Sequence, residues 1–94
     1  MRVAFADRAL NDLEALRDYI AADNPVAARE QVQKILAQVR VLEHQPKLGR
    51  PGRVQDTREL VISGTRYIAA YFVDTDIVRI LAVIHSSMRW PSRF

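Results

Sequence analysis

TRELVISGTRYIAAYFVDTDIVRILAVIH, residues 57–85, holds three strand-like segments separated by two short turns. The segments are Thr57–Ser63, Arg66–Val73 and Ile77–His85, each rich in the Ile, Val, Tyr and Phe that suit a pleated, half-buried surface. Gly64 supplies one turn and Asp74-Thr75-Asp76 the other, where Asp hydrogen-bonds local backbone. The three segments therefore form an antiparallel meander. In the middle strand Ile68, Ala70 and Phe72 share one face, and Tyr67, Ala69, Tyr71 and Val73 the other. Both faces are apolar, which places this strand at the centre of the sheet. In the last strand Val78, Ile80, Ala82 and Ile84 form the core-facing set, set against the helices, with Arg79, Leu81, Val83 and His85 opposite.

Working back toward the N-terminus, Arg2–Ala6 reads as a short strand, and Asp7 is placed to cap the helix that follows. From Arg8 to about Ala22, Leu10, Leu13, Leu16 and Ile20 recur at helical spacing, leaving Asp12, Arg17 and Asp18 on the more exposed sides. Asn24-Pro25 starts a second helix, because Asn caps well and proline at the first helical position loses no hydrogen bond. Its stripe is Ala28, Val32, Ile35, Leu36, Val39 and Leu42, and it runs to about His44 before Pro46. A link this short returns the helices antiparallel, and their stripes need a sheet to cover. The expectation is one α+β domain over residues 1–94, in the order β-α-α-β-β-β, with the helix hairpin packed on one face of the sheet.

The chain has 94 residues, 49% hydrophobic and 27% charged, a composition that folds. Absence of cysteine excludes disulfides and thiolate chemistry, and two distant histidines, His44 and His85, make a poor metal site; neither metal nor cofactor is expected. No apolar run is long enough to span a bilayer and Met1–Asp7 does not suit export, so no membrane partner and a cytoplasmic location are expected. Charge is uneven. Residues 1–45 carry six Lys/Arg against seven Asp/Glu, residues 46–94 eight against four. The excess is mostly arginine, whose planar fork suits carboxylates, phosphates and aromatic faces.

Two segments concentrate that charge. Residues 46–56, PKLGRPGRVQD, hold two prolines and two glycines, so neither helix nor regular strand should persist there. Arg50 and Arg53 in this loop suit phosphate or an acidic protein surface, or else simple solvation. The tail, residues 86–94, mixes Arg89 and Arg93 with Trp90 and Phe94. Arg and Trp are the residues most enriched at binding hot spots, although Trp90 could equally fold back as a lid on the core. His85 suits proton transfer or a structural hydrogen bond. Tyr67 and Tyr71, at period two, suit packing more readily than stacking.

Pro46-Lys47-Leu48-Gly49-Arg50-Pro51-Gly52-Arg53, Thr57-Arg58-Glu59-Leu60-Val61, Tyr67-Ile68-Ala69-Ala70-Tyr71 and Val83-Ile84-His85 leading to Arg89-Trp90-Pro91 follow one another in an order that, behind the helix hairpin, resembles the RelE/ParE toxin superfamily. The resemblance implies the toxin of a type II toxin-antitoxin system, used in plasmid or chromosomal stabilisation and growth inhibition. A cognate antitoxin is implied, with operator DNA bound only through it. One branch consists of ribosome-dependent messenger RNA endoribonucleases. The other, ParE, inhibits DNA gyrase without cutting nucleic acid. A nuclease would draw on Arg58, Arg66, Arg79, His85 and Arg89, but no convincing acid and base stand out. The Tyr-Ile-Ala-Ala-Tyr strand and the Val-Ile-His ending are closer to ParE. That branch implies target contacts at Arg50, Arg53, Arg89 and Trp90, and antitoxin contacts at Leu10, Leu13, Tyr67 and Tyr71.

Overall fold

The computed structural model describes all residues, 1–94. In chain order the elements are β1 (Arg2–Phe5), α1 (Asp7–Ala21), α2 (Pro25–Arg40) with a 3-10 turn over Val41–Glu43, β2 (Arg50–Pro51), β3 (Arg58–Val61), β4 (Tyr67–Val73) and β5 (Ile77–His85). The strands form one sheet in the order β1-β5-β4-β3-β2, so β4 is central, as its two apolar faces require. β2 to β5 are antiparallel neighbours, while β1 joins the far edge parallel to β5. This is the expected α+β architecture, with one strand more than the sequence pattern indicates.

The extra strand is β2. Arg50 and Pro51 pair with Glu59 and Arg58 at the sheet edge, where a proline's missing N–H faces outward at no cost to the ladder. The loop before it is held from below. The buried Tyr71 hydroxyl donates to the Pro46 carbonyl and accepts from the Gly49 amide, both at 2.8 Å, and Arg58 Nη1 donates to the Gly49 carbonyl at 2.8 Å. A β-carbon on Gly49 would stand 2.7 Å from the Tyr71 ring, so only glycine fits that approach.

Asn24 caps α2 as its type predicts, its side chain accepting from Ala27 N at 3.0 Å. Asp7 does not cap α1. It is the first helical residue, because the Ala6 N–H is still bound to Ile80 O at 2.9 Å and the chain leaves the sheet only there. Asp7 instead sits in the first turn, where a negative charge opposes the helix dipole. α2 ends at Arg40 and tightens into the 3-10 turn rather than continuing as α-helix to His44.

The largest departure lies in β5. Ala70 pairs with Ala82 but Tyr71 pairs with Ile80, so Leu81 is a bulge and the alternation of β5 inverts there. Val78 and Ile80 face the helices before the bulge, and Val83 after it. Together with Ala69 and Tyr71 they join Ala9 and Leu16 of α1 and Ile35 and Val39 of α2 in the core. Ala82 and Ile84, expected on that face, lie on the other one with Ile68 and Ala70. All four are buried. β1 accompanies β5 only as far as Ile80, and the Val83 N–H beyond it is taken by the Asp12 carboxylate of α1 at 2.9 Å. Asp12 therefore closes an open strand edge instead of facing solvent. Leu10, expected in the stripe, is half exposed, its core place taken by the fully buried Ala9. No helix is long and apolar enough to cross a membrane.

Candidate functional site

Glu59 is the one buried charged residue of the chain, 2% exposed, in the middle of β3. Its partner across the strand is Ala70, so it points to the sheet face that the helices leave open. Arg50 on β2, opposite Glu59, donates from Nε and Nη2 to Oε1 at 3.2 and 2.9 Å. Arg53 curls back to donate from its backbone N and Nε to Oε2, at 2.8 and 3.1 Å, and from Nη2 to Oε1 at 3.1 Å. Five charge-assisted hydrogen bonds therefore converge on one carboxylate, and both oxygens are fully engaged. Burial alone would raise this carboxyl's pKa. The hydrogen bonds from the side chain and backbone of Arg53 and from Arg50 outweigh that effect and hold it below the ordinary value.

The outer side of the cluster is aromatic. The Arg53 guanidinium stacks 4.0 Å from the Trp90 ring centroid, an arrangement worth about 0.5–2 kcal/mol. The Trp90 Nε1–H is buried and finds no acceptor within the chain. Farther along the tail, the Phe94 ring lies 5.5 Å from the Arg8 guanidinium of α1. The tail thus runs from the β2–β3 side of the molecule to the start of α1. Arg79 of β5, paired with Phe72, shares the open face by the same alternation. The result is a face of guanidiniums and an indole on which the carboxylate of β3 is sequestered.

Arg50, Arg53 and Trp90 are thus brought together, while Arg89 adjoins them in the chain and is exposed. Both loop arginines keep about half of their side-chain surface in solvent, 53% for Arg50 and 48% for Arg53. The residues considered for a nuclease are dispersed. Arg58 bonds loop carbonyls at the open end of the β3–β4 hairpin, whereas Arg66 and His85 sit at its turn end. Of the four residues considered for antitoxin contact, Leu10 and Leu13 line an open groove of about 440 Å³ between the helices, with Glu14, Arg17 and Val32. Tyr67 is half buried, edge-on to His85 at 5.2 Å. Tyr71 is wholly buried and cannot meet a partner; its role is to hold the loop. No three His, Asp or Glu side chains converge in a way that could hold a metal ion.

Sequence reasoning placed Glu59 among many charged residues without singling it out. A signal was present: a lone carboxylate inside an apolar strand, preceded at nine and six residues by arginines flanking a Pro-Gly turn.

Comparison with known proteins agrees with this architecture. Residues 3–90 match the family described as "ParE toxin of type II toxin-antitoxin system, parDE". "Putative toxin Y4kP" of Sinorhizobium fredii is 41% identical over 90 residues, 96% of this chain and 93% of that protein. Toxin RelE2 of Caulobacter vibrioides is 33% identical over 86 residues, 92% of this chain and 96% of that one. A solved structure, "Chromosomal ParDE TA system from P. aeruginosa", superposes with a TM-score of 0.82 at 28% identity, covering 90% of this chain and 95% of that one. With the family match spanning nearly the whole sequence, the chain belongs to the ParE toxins of type II toxin-antitoxin systems.

Proposed function

We propose that this toxin inhibits DNA gyrase in the cytoplasm by binding it through the arginine and tryptophan face, and that a cognate antitoxin neutralises it. The observation that carries this reading is the saturation of Glu59. General acid-base cleavage of RNA needs a group that takes a proton beside the charge stabilisers. At the centre of this cluster the Glu59 carboxylate has its oxygens filled by five donors and its pKa lowered. Guanidiniums with no proton-transfer partner favour binding over chemistry, and a half-exposed Arg next to Trp has the composition of a protein-binding hot spot. Arg89 and Trp90 are the principal target contacts, with Arg50 and Arg53 beside them.

The antitoxin is the partner that family membership implies. The groove at Leu10, Leu13 and Val32 suits an apolar helix or extended segment, and the net charge of +3 suits an acidic one. Operator DNA is reached only through that antitoxin.

The test compares two readouts on the purified toxin. Stoichiometric toxin blocks gyrase supercoiling or traps cleaved DNA, and leaves messenger RNA intact in a translating extract. Exchange of Arg89 and Trp90 for alanine abolishes the gyrase effect while antitoxin affinity is retained. Defined cuts in the message with gyrase unaffected would replace this reading with the RelE-type activity that one relative's name carries.

A further inference from the structure

A second polar site lies at the opposite end of the sheet, away from the arginine and tryptophan cluster. A cleft of about 570 Å³ opens between the end of α1, the middle of α2, the β3–β4 turn and the end of β5. Tyr19, Gln31, Arg66, Tyr67 and His85 line it, and no carboxylate does. Arg66 is exposed and makes no ion pair, and the Tyr19 and Tyr67 hydroxyls and the Gln31 amide bond nothing within the chain. Gly64 bends the turn with φ of +78°, and the Lys34 ammonium lies over it, 3.5 Å from where a β-carbon would stand. A second cation is thereby held at the rim.

His85 is the imidazole among the residues that line this cleft. Its Nδ1 lone pair accepts from Ser87 N at 3.1 Å, with Ser87 Oγ at 2.7 Å. Those contacts engage Nδ1 and leave Nε2 as the ring nitrogen without a partner in the chain, so with the tyrosines and Arg66 it can donate to an acceptor-rich group. Tyr19 adds a different element. The residue is 81% exposed, with an aromatic side chain left at the rim of the cleft. An exposed aromatic ring in that position can serve as a stacking platform for a nucleobase.

We propose that this cleft binds a nucleoside phosphate, its phosphate held by Arg66, His85 Nε2–H and Lys34 and its base laid on Tyr19. The volume falls within the roughly 300–1,000 Å³ of small-molecule sites. The site stands independently of what the arginine face recognises. The nucleotide could be free or the exposed unit of a nucleic-acid strand; the chemistry is the same.

The test is an NMR titration of the purified full-length chain with a nucleoside 5′-monophosphate, inorganic phosphate, the unphosphorylated nucleoside and a short single-stranded oligonucleotide. The monophosphate moves the His85, Tyr67 and Gly64–Arg66 signals together, and binds more tightly than phosphate or nucleoside alone. Arg66→Ala weakens it at least about tenfold, a loss of ~1.4 kcal/mol. Tyr19→Ala lowers it to the level of inorganic phosphate. Arg29→Ala, which removes an exposed arginine outside the cleft, leaves it unchanged. Both cleft substitutions are at exposed positions, and far-UV circular dichroism confirms their folding. An oligonucleotide that binds more tightly than the monomer identifies a strand as the source; equal affinity identifies the free nucleotide. Absence of shifts at these residues at millimolar monophosphate, or equal weakening by Arg29→Ala and Arg66→Ala, overturns the proposal.

Discussion

Replacing Glu59 by glutamine tests whether one buried carboxylate organises the arginine and tryptophan face. The substitution keeps shape and volume but removes the charge and turns one acceptor oxygen into a donor. If the amide nitrogen takes the Oε2 position, the bonds from Arg53 N and Nε are lost; at the Oε1 position, both Arg50 bonds and the Arg53 Nη2 bond go. A hydrogen bond to a charged group contributes about 1.5–3 kcal/mol. The guanidiniums are half exposed and recover water, which discounts the sum. The Arg53 backbone N–H and the repulsion between two neighbouring cations have no such relief. Breaking a buried pair from one side costs about 3–5 kcal/mol, so a half-exposed one should cost about 2–4 kcal/mol.

Against a total stability of about 5–15 kcal/mol this is a large fraction, and for a domain of this size it lowers Tm by roughly 8–32 °C. Trp90 is the only tryptophan and stacks on Arg53, so its emission reports both global unfolding and local release. Urea denaturation followed by Trp90 fluorescence gives the first quantity, and the native emission maximum the second. A loss under about 1 kcal/mol with unchanged Trp90 emission would refute the reasoning, because it would mean that the arginines hold their positions without the carboxylate.

Three further outcomes follow from other contacts. Since the folded pKa of Glu59 lies below that of the unfolded chain, its stabilisation is complete above the ordinary value of 4.5 and is lost as pH falls through the folded value; Glu59→Gln should flatten the acid limb of a stability-pH curve. Tyr71→Phe removes the hydroxyl that joins Pro46 and Gly49, and should cost about 1–3 kcal/mol by chemical denaturation, with faster amide exchange at Gly49. Asp12→Ala strips the Val83 N–H of its acceptor, costs about 1–2 kcal/mol, and raises hydrogen exchange at Val83 more than at Ile80, whose backbone stays paired with β1.

Periodicity made the helices and the three long strands readable because local spacing sets them: β5 occupies the segment expected, and Asn24-Pro25 starts α2 where a cap and a first-turn proline should. Contacts far apart in sequence were not readable. Strict alternation in residues 77–85 gives no sign of the Leu81 bulge, and so misassigns Ala82, Val83 and Ile84. Asp12 and Val83, 71 residues apart, look like a surface carboxylate and an ordinary strand residue until β1 is seen to end at Phe5. At the site, Arg50, Arg53 and Trp90 were legible by type and Glu59 was not, since whether a strand glutamate faces solvent or two arginines depends on where the preceding loop returns. The packing of Tyr71 was readable from its place in the strand, but its bonds to the loop were not: its partners are backbone, and backbone carries no sequence signal.

The division of labour in the sheet follows from this geometry. Helices cover one face only, yet Ile68, Ala70, Ala82 and Ile84 on the other are apolar and must also leave water. The Arg50–Arg53 loop and the tail from Met88 to Phe94 are the irregular segments that the contacts of Arg53 with Trp90 and of Arg8 with Phe94 bring around that side. Loops and termini tolerate change far better than a packed strand. Substitutions in such segments leave the helix-packed core undisturbed, so the chemistry of this side can change while the fold stays the same. In this chain that face carries two arginines clamped on a glutamate, with Trp90 stacked on one of them.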